Sequence, residues 1–355
     1  MTILPPVVQT LKNMKGIIYS AILILLHTAA SAQEGNEKEN IVMFWNIENF
    51  FDFKDEGKND SDREFSPEGE RRWTGSRFYA KCNAIAKTVL WIKDIYGNIP
   101  DVAGFAEVEN LFVLKSIINS GPLKKSDYRI VHYDSSDPRG IDVALIYRND
   151  IFEKTASKPC RITNSSGDPA NTRDILCVTL KNRKTGHLTA FIVNHHPSKF
   201  SGASSSRPKR ETAMRRLKSI CDSIRSEYTG IDIIAMGDFN DTPDNGLFSI
   251  LEDNMTNMSS ELYSKGEGTI RYKGRWDLID MFIVSNQLEG HCRMSILYPP
   301  FLMTADRTYG GLKPLRTYSG PKYEGGVSDH CPIILKIGLT EQQPGRSHIL
   351  SEPSF

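Results

Sequence analysis

The chain of 355 residues lacks the motifs that mark the commonest hydrolase designs. It has no GxSxG nucleophile elbow, no HExxH zinc motif and no Walker phosphate loop, which excludes the serine-esterase, zincin and P-loop readings. Its six cysteines never fall at CxxC spacing, so a zinc ribbon or a thioredoxin-like redox pair is excluded as well. An excess of charge of one sign is missing too: 44 Lys and Arg stand against 43 Asp and Glu. Without a bulk cationic field, any polyanionic partner must be held locally. No segment repeats at a fixed period. The apolar run from Ile17 to Leu26 is closed by His27 and Thr28, well short of the ~20 residues that a membrane span needs.

Lys12 and Lys15 precede that run and Ala30-Ser31-Ala32 follows it, the charged, apolar, cleavable order of a secretory signal. Residues 1–32 are therefore expected to be a signal peptide, 33–40 a polar linker, 41–339 one folded domain and 340–355 a polar tail. The protein is expected to be exported, periplasmic or secreted, with no stable membrane anchor. An oxidising compartment would permit disulfides. Cys82, Cys160, Cys177, Cys221, Cys292 and Cys331 are nevertheless read mainly as small buried hydrophobes in apolar segments.

Beyond residue 40, short strand-like runs alternate with longer amphipathic stretches, the mark of a mixed α/β architecture. Strands are expected at 41–47, 102–108, 142–148, 175–180, 188–196, 231–238, 278–285 and 332–337, and several are apolar on both faces, as interior strands are. Ala213, Leu217, Ile220, Ile224 and Tyr228 recur at helical spacing and predict a helix with Pro208 in its first turn and Gly230 at its exit. Cys82, Ile85, Ala86, Val89, Ile92 and Tyr96 predict a second, from about Arg77 to Gly97. Asp52 to Glu70 has no apolar period and reads as a solvated loop.

Polar residues recur where the apolar strands stop. Met236-Gly-Asp-Phe-Asn-Asp-Thr-Pro243 ends a strand in Asp238 and Asn240. A carboxylate and an amide two residues apart can share one side of an extended chain, one taking a proton from water and the other donating to an anionic substrate. Alone, this stretch could equally be an Asp/Asn-rich turn. The pattern returns at Asn46-Ile47-Glu48-Asn49, Glu107, Asn194-His195-His196, Asp277-Leu278-Ile279-Asp280 and Ser328-Asp329-His330. Together these ends supply oxygens suited to a hard cation such as Mg²⁺ or Mn²⁺, with imidazoles and amides to manage phosphate and protons. That is the inventory of a phosphate-ester hydrolase.

In chain order, WNIEN, AEVEN, RGIDVALIY, NHHPS, GDFNDTP, DLIDMFIVS and SDHCPI resemble the motifs of the endonuclease/exonuclease/phosphatase superfamily, which includes pancreatic deoxyribonuclease, abasic-site endonucleases, sphingomyelinases and inositol polyphosphate phosphatases. The likeness runs from Ile41 to about Ile337. It implies a four-layer α/β sandwich, two packed mixed sheets flanked by helices, with the site at one edge of the sheets. It implies Glu107 as the metal-binding glutamate, helped by Asn46, by Glu48 where the family often has Asp, and by Asp329. Asp238 becomes the water-orienting or water-activating aspartate, with Asn240 and His330 as phosphate contacts and Asp280 orienting His330. The family's Asn-x-His pattern places its other histidine at His196, on the strand face shared with Asn194, which it makes a substrate contact, and turns His195 away.

Seven cations against one acid lie between Lys199 and Lys218, with Lys199, Arg207 and Arg210 among them. Such a run is either a phosphate grip or a solvated helix face. Arg139 is a second candidate for a phosphate contact, and the Lys313, Arg316 and Lys322 region a third. The expected activity is that of a secreted Mg²⁺- or Mn²⁺-dependent phosphodiesterase of nuclease type, acting as a monomer on nucleic acid. The alternative is a phosphatase or phospholipase C-like hydrolase of inositol phosphates or phospholipid headgroups; a non-catalytic binding module on the same fold is a third reading.

Overall fold

A computed structural model describes residues 39–338 apart from 58, 165, 200 and 201. The expected signal peptide and nearly all of the linker and tail lie outside the described residues. In chain order the principal strands are β1 (Asn40–Phe50), β2 (Val102–Val108), β3 (Tyr128–His132), β4 (Asp142–Arg148), β5 (Phe152–Cys160), β6 (Ile175–Asn182), β7 (Leu188–His195), β8 (Asp232–Asp238), β9 (Met255–Asn257), β10 (Asp280–Ser285), β11 (Cys292–Ile296) and β12 (Ile333–Ile337). They form two six-stranded sheets, ordered β11-β12-β1-β2-β4-β3 and β5-β6-β7-β8-β10-β9.

The layers follow from alternation along each strand. Val42 and Phe44 of β1, Ile333 and Leu335 of β12, Phe191 and Val193 of β7, and Ile234 and Met236 of β8 fill the space between the sheets. Residues of the other parity face outward. Met43, Trp45 and Phe105 pack on Phe78, Cys82, Ile85 and Ile92 of the Gly75–Tyr96 helix. Ile192, Ile233 and Ala235 pack on Ala213, Leu217 and Ile224 of the Ala203–Glu227 helix. Each fully buried Val, Leu, Ile, Met or Phe among them contributes about 1.5–3 kcal/mol, and both faces of the sheets are used. The result is the four-layer α/β sandwich that the resemblance implied. Gly237 is required where β7 and β8 meet, because a Cβ there would lie 2.3 Å from the Asn194 carbonyl oxygen.

The structure departs from the sequence expectations at several places, and the 52–70 segment expected to be solvated buries Asp52, Asp62, Phe65 and Ser66. The long helix starts at Ala203, before Pro208, and ends at Glu227 rather than at Gly230; the Ser204 carbonyl that Pro208 cannot bond belongs to an exposed residue. The 52–70 loop contains a helix, Asp60–Glu64, capped by the Asn59 side chain, which accepts from the Asp62 N–H. The unforeseen strands β3 and β5 are sheet edges, where one side needs no ladder partner and apolar runs are dispensable. All six cysteines are unpaired and five are buried, as small hydrophobes would be.

Candidate active site

Strand parity assembles the site. Asn46 continues the inward set of Val42 and Phe44, Asp238 that of Ile234 and Met236, and Asp280 that of Phe282 and Val284, so all three project between the sheets. Antiparallel pairing of β8 with β10 sets Asp238 opposite Asp280, and parallel pairing of β7 with β8 sets His195 opposite Asp238. Glu107 is the exception. Parity groups it with Ala103 and Phe105, which face the helix layer. A register shift between Ala106 and Val108 and a φ of 63° at Glu107 turn its side chain into the cleft instead, as bulges beside active sites do. Glu48, Asn49 and Asn240 are also left-handed, a concentration of backbone strain typical of functional sites.

Asn46 sits at the centre. Its Nδ2 donates to Asp238 Oδ2 at 3.1 Å and to Glu107 Oε1 at 3.4 Å. The Asn49 N–H holds the other Glu107 oxygen at 2.7 Å, and the Asn240 N–H holds Asp238 Oδ1 at 2.9 Å. His195 Nε2 lies 3.8 Å from Glu107 and 3.7 Å from Asp238. His330 Nε2 lies 3.8 Å from Asp238 and from Asp329, while its Nδ1 is 2.7 Å from Asp280. Burial, reinforced by the like charge of Asp280, pushes Asp238 up to about 7. Burial alone would lower His330, but Asp280 raises it well above the usual histidine range and keeps the ring charged. His195 is held well below that range by burial and by Arg173 and Arg139, and is neutral. One ring is thus a cationic donor and the other a neutral one, facing the same carboxylate.

Several expected roles move. His196 does not reach the cleft; its parity is that of Ile192, and it packs edge-on against Phe239 with ring centroids 4.9 Å apart. His195 takes the place expected of it, because it shares the inward parity of Phe191 and Val193. Asn194 is fully buried on the outer face, donating to the Ile192 and Met236 carbonyls, and cannot touch substrate. Glu48, expected to help hold a metal, is engaged by its neighbours: Arg316 donates to its Oε1 through two nitrogens at 2.9 and 2.7 Å, and the Thr317 N–H donates to its Oε2 at 3.3 Å. Arg210 is buried against Asp241 at 2.5 Å, so it braces a helix and grips no ligand. Lys199 pairs with the same Asp241 at 2.9 Å. Arg207 is exposed on the helix. Arg139, half-exposed and 3.6 Å from Asp137, stays close enough to depress His195. Asp329 pairs with Arg316 at 3.2 Å.

Two further residues belong to the site. Lys81 is buried and donates to the Glu48 carbonyl at 2.6 Å and to Thr317 Oγ1 at 2.9 Å; burial lowers it to about 8. Its sequence signal is a lysine in helical register with Ile85 and Ile92. Arg173 donates to the His196 carbonyl at 2.9 Å, an oxygen shared with Asn240 Nδ2 at 3.0 Å, and so fixes the end of β7 beside β8. Nothing local in the sequence marks it.

The donor set suits a hard divalent ion. The Glu107 carboxylate lies at the cleft with Asn46 beside it, and oxygen ligands with room for water and phosphate are what Mg²⁺ takes. Buried acids that raise one another's pKa, as Asp280 does Asp238, also favour a cation nearby. Asp238, Asp280 and His330 offer ligand atoms within 4.8 Å of one another, although the last two are already hydrogen-bonded to each other.

Residues 41–338 match the model of the Endonuclease/Exonuclease/phosphatase family. No curated protein matches the chain significantly. Among solved structures, the human Nocturnin catalytic domain is similar at 16% identity, covering 85% of this chain and 95% of that one with a TM-score of 0.51. Truncated TDP2 of Caenorhabditis elegans, at 16% identity, covers 85% and 98% with a TM-score of 0.53. A mannosyl-6-phosphatase of Bacteroides thetaiotaomicron, at 17%, covers 83% and 98% with a TM-score of 0.50.

Proposed function

The chain belongs to the endonuclease/exonuclease/phosphatase family, and from that premise we propose that it is a divalent-metal-dependent hydrolase of phosphate esters. The observation that carries this reading is the convergence of Glu107, His195, Asp238 and His330 on one cleft from three strands and the segment before β12. Glu107, with Asn46 beside it, would hold the ion, which would supply Lewis-acid polarisation at a phosphoryl oxygen and charge stabilisation for the leaving group. Asp238, oriented by Asn46 and Asn240, takes a proton from water as that water's oxygen bonds to phosphorus. The ester P–O bond opposite breaks, and the departing alkoxide takes a proton from solvent. Charged His330 and neutral His195 donate to the non-bridging oxygens as charge gathers there, with Arg139 at the rim.

A small phosphate ester is favoured over a nucleic-acid backbone. Four of the seven cations between Lys199 and Lys218 are committed to neighbouring acids: Lys199 and Arg210 to Asp241, Arg215 to Glu211, Lys218 to Asp222. Exposed Arg207 and Lys209 keep the nuclease reading as the second one. Export is inferred from Lys12, Lys15 and Ala30-Ser31-Ala32. Asp238→Asn is expected to lower kcat by at least about 10²-fold at unchanged Tm, and chelator to abolish turnover until Mg²⁺ or Mn²⁺ is restored. Activity within threefold of wild type, or turnover indifferent to chelator, contradicts the proposal.

A further inference from the structure

Outside the cleft, two short hairpins meet at their tips. Ile270–Tyr272 pairs with Arg275–Asp277, and Met303–Ala305 with Leu312–Pro314. Arg271 stitches them together: its Nη1 donates to the Leu312 carbonyl at 2.9 Å, its Nη2 donates to the Gly274 carbonyl at 3.2 Å, and Asp306 answers its charge at 3.5 Å. Asp306 also accepts from the Thr308 and Tyr309 N–H groups at 3.1 and 3.2 Å. Tyr309 is seated on Gly274, where an added Cβ would lie 2.8 Å from that of the tyrosine. The second turn is thus fixed on the first, and a surface braced in this way needs little ordering to bind.

The braced tips carry a combination that rarely faces water without a purpose. Tyr272, Tyr309 and Leu312, at 65, 54 and 56% exposure, are the three most exposed large hydrophobic side chains among the described residues. Lys273, Arg275, Arg307 and Lys313 stand exposed around them, and neither 270–275 nor 307–313 contains an acid. Charge complementarity therefore asks for an anionic partner, and the apolar tips for one with hydrocarbon beneath its charge. A nucleic-acid strand would use the cations alone: Leu312 offers a base no aromatic face, and Lys273 Nζ already lies 5.3 Å from the centroid of the Tyr272 ring. A bilayer interface uses the whole set. Tyrosine rings settle at headgroup level and leucine at the acyl boundary, while Lys and Arg lay their stems along them and reach lipid phosphates. The first hairpin springs from beside the cleft, where Ile270 is bridged to His330.

We propose that these two tips are a docking surface for an anionic lipid membrane, entered by Tyr272, Tyr309 and Leu312 and gripped by Lys273, Arg275, Arg307 and Lys313, which holds the chain reversibly at a bilayer whatever ester it cleaves. The test is co-sedimentation of the full chain with vesicles of phosphatidylcholine alone, or of phosphatidylcholine and phosphatidylglycerol in equal parts. Wild type should favour the anionic vesicles by at least about 10-fold, the more so at low salt. The apolar run from Ile17 to Leu26 can enter lipid by itself, so the surface is read from variants that share that run. Binding to anionic vesicles should weaken at least about 10-fold when Lys273, Arg275, Arg307 and Lys313 are all changed to Gln, with a flattened salt dependence. It should weaken at least about 10-fold in Tyr309→Ser, Leu312→Ser protein as well. Both variants should keep their Tm, because every changed side chain is exposed. Equal binding to the two vesicle compositions, equal binding by wild type and variants, or binding of a single-stranded oligonucleotide through these residues with none to vesicles overturns the proposal. Vesicle binding is read without turnover, so it stands or falls apart from the hydrolase reading.

Discussion

Adjacent residues on a strand face opposite layers, and that alternation sends His195 to the cleft and His196 against Phe239. His195→Gln is expected to lower kcat by at least about 10-fold, below the full worth of a general acid–base group because His195 only donates. His196→Phe should leave kcat within threefold of wild type; the reverse ranking of the two variants in steady-state kinetics would contradict the assignment. A pH effect follows as well. Burial, then Arg173 and Arg210, lowers His196 to about 3, whereas an unfolded histidine titrates near about 6.5. Above that pH both states are neutral. Below it only the unfolded chain takes up the proton, so stability falls as pH falls, by up to about 1.4 kcal/mol per pH unit. In urea unfolding between pH 7 and 5, His196→Phe should therefore lose about 1–2 kcal/mol less than wild type; equal losses would count against it. The sequence alone could not order this pair, since Ile192 and Val193 are both apolar and either face could be the inner one. Asp238, Asp280 and His330 were legible because each ends or adjoins an apolar strand. Glu107 was legible only through its motif, because strand parity alone sends it the wrong way.

At the scale of elements, the basic Ala203–Glu227 helix shows why a charge run is ambiguous. Its register against β8 was set by Ala213, Leu217 and Ile224, which the sequence displayed, but the acid that pairs with Arg210 is Asp241, on another segment. Arg210→Met strips a buried acid of one partner and is expected to cost about 3–5 kcal/mol in denaturant unfolding. The triple change Arg207→Gln, Lys209→Gln, Arg215→Gln touches exposed residues and should stay within about 0.5 kcal/mol per site. If Arg210→Met proves as mild as the surface changes, its role as a brace is wrong. The edge strands β3 and β5 escaped the sequence reading for the opposite reason: β5 exposes most of its residues, so no apolar run betrays it.

For the whole molecule, function depends on two sheets delivering polar strand ends to one edge. Most of that was legible, because the interior strands are apolar on both faces and stop at acids, amides and histidines. The charge wiring beneath the site was not. Lys81, Arg316 and Glu48 meet only in three dimensions, from positions as far apart as 268 residues along the chain, and Arg316 and the Thr317 N–H occupy both Glu48 oxygens. Crystals of the protein soaked in Mn²⁺ and measured at the manganese absorption edge test the account most directly. It predicts an anomalous peak in the cleft, bonded to the Glu107 carboxylate and not to Glu48. No peak there, or a peak only at the separate His132, Asp134 and Asp142 group, would contradict it.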